Sequence, residues 1–244
     1  MSGAGKGRVD GQPAYVLHAY PFKETSLIVE AFSRDHGRLS LVARGARRPR
    51  SALRGLLMAF QPLELGWFGQ GEMRTLAKAE WIGGQPLLQA RALLLGYYMN
   101  ELLLKLLPRE DAHPSLFQAY AEASRALALG EPSQVSLRRF EKTLLKELGY
   151  GLTLDREADD GQPVDPQKRY AYVLERGPVR LGAKAEAAEA ESFSGQALLA
   201  IARDDYSEAE TLAQCRQLMR MLIRHYLGGQ LLSSRRVFME LQEL

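Results

Sequence analysis

Between Pro13 and Trp81 the apolar positions recur at strand spacing. Ala14 to Tyr20 carries Tyr15, Leu17 and Tyr20 in partial alternation, and Thr25 to Phe32 (TSLIVEAF) is β-branched and apolar. Arg38 to Ala43 follows a DHG turn at Gly37. The period then changes, because Leu53, Leu56, Leu57 and Phe60 predict a helix within Ser51 to Phe60. Gln61 to Phe68 and Met73 to Trp81 return to strand, joined by the turn GQGE. Three strands, a short helix and two strands is the order of a five-stranded OB-fold barrel.

From Gly83 onward the spacing is helical. Leu87 to Leu107 is densely apolar and stops at Pro108, Pro114 to Leu129 ends at Gly130, and Pro132 opens a third helix that runs to Gly149. Asp155 to Pro166 reads as an acidic, solvated loop, and Tyr170 to Leu181 as a hairpin around Arg176-Gly177. Lys184 to Glu191 is Ala- and Glu-rich and fits helix or linker, and Gly195 to Ala202 is a short helix. Ser207 with Glu210 is a capping-box pattern ahead of a long helix, Leu212 to Leu227, which Gly228-Gly229 ends. Ser234 to Leu244 is a last short helix. The predicted class is therefore α+β. A flexible N-terminus (1–12) precedes an OB-fold barrel (13–82), and a mainly helical domain (83–244) carries a hairpin insertion near 170–181.

Charge sharpens this picture. The chain of 244 residues has a net charge of only +3. Its first 80 residues, however, hold twelve Lys and Arg against seven acids, whereas the remainder holds 20 against 22. Arg34 to Gly55 alone contains Arg34, Arg38, Arg44, Arg47, Arg48, Arg50 and Arg54 against the single acid Asp35. Guanidinium groups fork onto phosphate oxygens and stack on bases at any working pH, so nucleic acid is the first candidate partner. A solvated loop with scattered salt bridges is the alternative. OB-folds hold single strands by stacking bases on aromatics beside a basic groove. Tyr15, Tyr20, Phe22, Phe32, Phe60, Trp67, Phe68 and Trp81 are open to either role, core or platform.

Enzymatic readings find little support. No GxxxxGK[ST] or GxSxG motif occurs, and His18, His36, His113 and His225 lack metal-ligand spacing. The glycine at Gly161 and the proline at Pro166 break an EF-hand pattern over Asp155 to Pro166. Cys215 is the only cysteine, which excludes a thiolate zinc cage and an internal disulfide and fits a reducing compartment. Without an apolar leader or a membrane-length apolar run, the expected location is the cytoplasm. Two basic ladders remain: Arg138, Lys142 and Lys146 with Arg139 alongside, and Arg216, Arg220 and Arg224. Each lines one helix face. Each fits either a solvated face or a dock for an acidic protein tail.

The run KETSLIVEAFSRDHGRLSLVARGARRPRSALRGLLMAFQPLELGWFGQGEMRTLAKAE resembles the N-terminal domain of the bacterial recombination mediator RecO family. LRRFEKTLLKELGYG, Gly161-Gln162-Pro163-Val164-Asp165 and YLGGQLLSSRRVF resemble its C-terminal signatures, so the likeness spans Ala14 to Phe238. The resemblance implies a non-enzymatic, cofactor-free DNA repair protein, cytoplasmic and nucleoid-associated. Such a protein binds single- and double-stranded DNA, anneals complementary strands and, with RecR, helps load RecA on strands coated by the single-strand binding protein SSB. It carries DNA contacts onto Arg34, Arg38, Arg44, Arg47, Arg48, Arg50, Arg54 and Arg74, and receipt of the SSB C-terminal tail onto Arg138, Arg139 and Lys142. Many members carry a four-cysteine zinc module where Leu152 to Tyr170 has no cysteine, so no zinc is expected here. An adaptor that binds the acidic SSB tail, with only incidental DNA contact, is the rival reading.

Overall fold

Strand β1 (Val9–Phe22) pairs antiparallel with β2 (Ser26–Ser33), and β2 with β3 (Gly37–Ala43). After the short helix α1 (Leu53–Leu56), β4 (Leu63–Phe68) and β5 (Met73–Trp81) form a second hairpin. β5 runs parallel to β3 and β4 antiparallel to β1, so the order β1-β2-β3-β5-β4 closes into a barrel. This is the OB-fold arrangement. The computed structural model describes residues 7–182 and 192–242.

Two details of the N-terminal reading change. Of the flexible lead expected over 1–12, residues 1–6 lie outside the described residues, and Val9 to Gln12 is strand, with Val9 opposite Trp67 and Gln12 opposite Leu65. Gly11 (φ +67°) marks the irregularity in that pairing, which hides the strand's period. The helix expected over Ser51 to Phe60 shrinks to one turn, as Gly55 weakens its interior and Phe60 is left-handed (φ +67°).

Alternation puts Val29, Ala31, Leu39, Leu41, Leu63, Leu65 and Trp67 inside the barrel, each at most 1% exposed. The outer face of β1 and β2 is buried as well. Helices α2 (Ala90–Leu106) and α3 (Pro114–Ala128) belong to the same compact unit, which comprises the chain to Glu131 and resumes at Leu232. Tyr15 and Phe32 pack their rings against Phe117 at 5.5 Å, and Tyr15 meets Tyr120 edge-on at 5.0 Å. The register of β1 slips between Val16 and His18. There the Leu17 carbonyl accepts from buried Asn100 Nδ2 (2.8 Å), and Asn100 Oδ1 accepts from the Tyr120 hydroxyl (2.6 Å). The compact unit therefore does not stop at Gly83-Gly84, where strand spacing gives way to helical spacing. Aromatic and amide contacts carry it through α3.

Helix α7 (Ser233–Gln242) closes this unit. Glu101 on α2 accepts the Ser233 and Ser234 backbone N–H groups (2.8 and 2.9 Å) and the Ser234 hydroxyl (2.8 Å). A carboxylate is favoured at a helix N-terminus. Burial works to raise the Glu101 pKa, but these donors outweigh it and hold the carboxyl below its ordinary value.

Pro132 to Leu231 forms a second compact unit. It holds α4 (Ser133–Glu147), a sheet ordered β7-β6-β8 from β6 (Arg169–Val173), β7 (Gly177–Arg180) and β8 (Ser192–Ser194), then α5 (Gly195–Ala202) and α6 (Ala209–Tyr226). The expected hairpin gains a third strand, β8, too short to show a period. The Ala/Glu-rich stretch at 184–191 lies outside the described residues. The Ser207/Glu210 capping box does not form, because the Ser207 hydroxyl donates to Asp205 (2.8 Å).

Candidate nucleic-acid interface

The loop after β3 is basic and pinned. Gly45 (φ +68°) turns the chain in a conformation other residues resist, and Ala46, fully buried, anchors it in the barrel core. The Arg47 amide donates to the Thr25 carbonyl (2.9 Å), and its guanidinium donates to the Glu24 carbonyl (3.2 Å) and weakly to that of Lys23 (3.4 Å). The Arg48 amide returns to Gly45 (3.1 Å) and the Ser51 amide to Arg48 (3.0 Å). On this frame Arg44, Arg48, Arg50 and Arg54 are exposed, and none has a carboxylate partner among the described residues. Four permanent charges without counter-charges favour an anion with several oxygens, such as a run of phosphates.

Three other arginines expected at the DNA site, Arg34, Arg38 and Arg74, are tied to acids. Arg34 is exposed and forks onto Asp35 at 2.9 and 3.0 Å. Arg74 meets Glu110 at 3.0 Å. Arg38 is drawn inward: it reaches Glu30 at 3.3 Å and donates to the Leu107 carbonyl at 3.0 Å. Burial lowers its pKa from the ordinary guanidinium value, with Glu30 opposing that shift. Glu30, only 3% exposed, also accepts from Ser40 (2.5 Å), Arg109 (2.7 Å) and Tyr20 (3.2 Å). Sequence reasoning missed Arg109, which lies 79 residues from Glu30 in the chain. Tyr15, Phe32, Phe60 and Trp67 are core, while Tyr20, Phe68 and Trp81 are exposed.

The ladder of α4 divides. Arg138 is 9% exposed and binds the buried Glu141 at 2.9 Å. Lys142 Nζ caps the end of α5, donating to the Ile201 (2.7 Å) and Ala202 (3.0 Å) carbonyls and to Asp204 (3.0 Å). Arg139 and Lys146 are exposed, as are Arg216, Arg220 and Arg224 on α6. Spacing could not show this, because Arg138 and Lys142 border the buried stripe Leu137, Phe140, Leu144 and Leu145.

The Asp155–Pro166 segment is ordered rather than simply solvated. Glu157, 7% exposed, accepts from the Tyr170 hydroxyl (2.9 Å) and from Arg180 (2.5 Å). Among the described residues no group of three or more His, Cys, Asp or Glu could hold a metal ion, and no helix is long and apolar enough to cross a membrane. Cys215 is fully buried, and burial, with Glu141 nearby, pushes its thiol up to about 12, which disfavours the nucleophilic thiolate.

Two family models match in tandem: Recombination protein O N terminal over residues 11–85 and Recombination protein O C terminal over residues 88–235. The chain belongs to the recombination protein O family. A DNA repair protein RecO from Aromatoleum aromaticum is 61% identical over 239 residues, covering 98% of this chain and 99% of the relative. The proteins of the same name from Azoarcus sp. and Dechloromonas aromatica are 59% and 55% identical, each over 98% of this chain and 99% of the relative. The junction between the two models falls at Gln85 to Leu88, beside the sequence break at Gly83-Gly84 and well before the end of the barrel's compact unit.

Proposed function

We propose that this chain is a non-enzymatic DNA repair protein that binds single- and double-stranded DNA through the loop after β3 and anneals complementary strands. In this reading it acts with RecR to help load RecA on SSB-coated strands in the cytoplasm. The observation that carries it is the set of four exposed guanidinium groups, Arg44, Arg48 and Arg50 on a pinned loop and Arg54 on α1 beside it, without carboxylate partners among the described residues. Neutralised phosphates let two like-charged strands approach, and released counterions drive binding. The relatives' name, DNA repair protein RecO, supports the repair role.

A salt titration tests this. For single strands the slope of log K against log salt changes by about 0.7 per phosphate contact. Changing Arg44, Arg48 and Arg50 together to Ala flattens it by about 2. Arg47 is left intact because it holds the loop. An unchanged slope removes the loop from the DNA site.

The adaptor reading, in which the second unit receives the acidic SSB tail, draws on the exposed Arg139. Arg139→Ala is the clean variant, since Arg138 and Lys142 hold internal partners. Tail-peptide affinity is expected to fall severalfold while DNA affinity stays constant. Unchanged tail binding excludes Arg139 from that dock.

A further inference from the structure

An apolar groove of about 380 Å³ lies in the barrel unit, lined by Leu56, Met58, Trp81, Pro86 and Leu87 with Gln61. Its wall continues the basic loop directly, since α1 carries Arg54, then Gly55 and Leu56 at the groove. No lining residue is charged. Trp81, at the end of β5, is 56% exposed, Leu87 54% and Met58 40%, so a large apolar surface faces outward beside permanent positive charge. Gln61 is 7% exposed, and its Nε2, itself buried, has no hydrogen-bond partner among the described residues. That donor is out of reach of a ligand, so the groove presents a mainly apolar surface. Gln85, also on the groove, is held by the Phe60 carbonyl (2.8 Å), which keeps the wall formed before anything binds.

The geometry points to a slot for one unpaired nucleobase of a DNA single strand. The base stacks on the Trp81 indole against the apolar wall, and the adjoining phosphates run toward Arg54 and Arg50. An aromatic face in an apolar groove beside cations matches a planar heterocycle on an anionic backbone. A paired base has its face covered by its neighbours and cannot enter. The slot thus gives the basic loop a preference for unpaired strands that charge alone cannot supply. This inference rests on the DNA-binding reading above.

Abasic oligonucleotides separate the two. The intact chain is titrated with labelled thymidine and fully abasic single strands of equal length. Anisotropy follows the label and tryptophan emission follows the protein. The chain has two tryptophans, and Trp67 is 1% exposed, so emission changes on binding report Trp81. The thymidine strand is expected to bind about 5- to 100-fold tighter than the abasic strand and to quench emission. Trp81→Ala is expected to bring the two affinities together at the abasic value. Equal affinities in the wild type with unquenched emission overturn the slot and leave the loop reading standing. Failure to bind either strand removes the loop reading and the slot with it.

Discussion

Glu30→Gln tests the claim that Arg38 belongs to the fold and not to a ligand surface. Glu30 sits on the outer face of β2 with its side chain 4% exposed, between two guanidinium groups, Arg38 at 3.3 Å and Arg109 at 2.7 Å. The amide keeps the shape but removes the charge and turns one acceptor into a donor, which then faces a cation. Breaking a buried pair by removing one partner costs about 3–5 kcal/mol. Two features reduce that here: the amide keeps one acceptor for Ser40, and Arg109, 43% exposed, can turn to water. Arg38, 13% exposed, cannot. We expect a loss of about 2–4 kcal/mol, a fall in Tm of roughly 5–15 °C for a chain of this size. Both tryptophans lie in the barrel unit, so their emission during thermal or urea unfolding follows that unit alone even if the other melts separately. Asp35→Asn, which removes the partner of exposed Arg34, serves as the control and should move Tm by no more than about 2 °C. If Glu30→Gln melts within that same margin, the cluster is not a structural brace and Arg38 returns to the list of candidate DNA contacts.

Two further outcomes follow from the barrel unit. Gly37→Ala should abolish soluble expression or lower stability by more than about 3 kcal/mol, since Gly37 is left-handed (φ +64°) and a Cβ there would strike the Asp111 backbone. Gly55→Ala, where a Cβ meets nothing within 4 Å, should instead stabilise slightly, and parallel urea melts compare the two. The cap on α7 should titrate. The Glu101 carboxyl is held below its ordinary value in the folded state, so its contribution is complete above the unfolded carboxylate pKa and is lost as pH falls through the lower folded one. Hydrogen exchange of α7 should therefore accelerate in that acidic window, and Glu101→Gln should make it fast already at neutral pH.

Local chemistry was legible where neighbours in the chain carry it. Period-two apolar runs and the order of strands and helix predicted the barrel, because a closed sheet needs each strand to present one face inward. Pro and Gly punctuation placed α3 and α4 within two residues of their ends. The density of arginines marked Arg34 to Gly55 as the basic stretch, since seven like charges in 22 residues need no tertiary information to be counted. What a sequence cannot display is which charges are already satisfied. Arg38 and Arg48 are equivalent in composition, yet one is neutralised by Glu30, and Arg109 reaches the same carboxylate across three strands and two helices of intervening chain. Arg138 and Arg139 are adjacent letters, but a rotation of about 100° on the helix sends one to Glu141 and the other to solvent. Likewise Trp67 and Trp81 occupy similar strand patterns, and only barrel closure buries the first and leaves the second at a groove. Pairing and exposure depend on contacts between residues far apart in the chain. Periodicity along the chain carries no record of those contacts, so they were decided by tertiary packing alone.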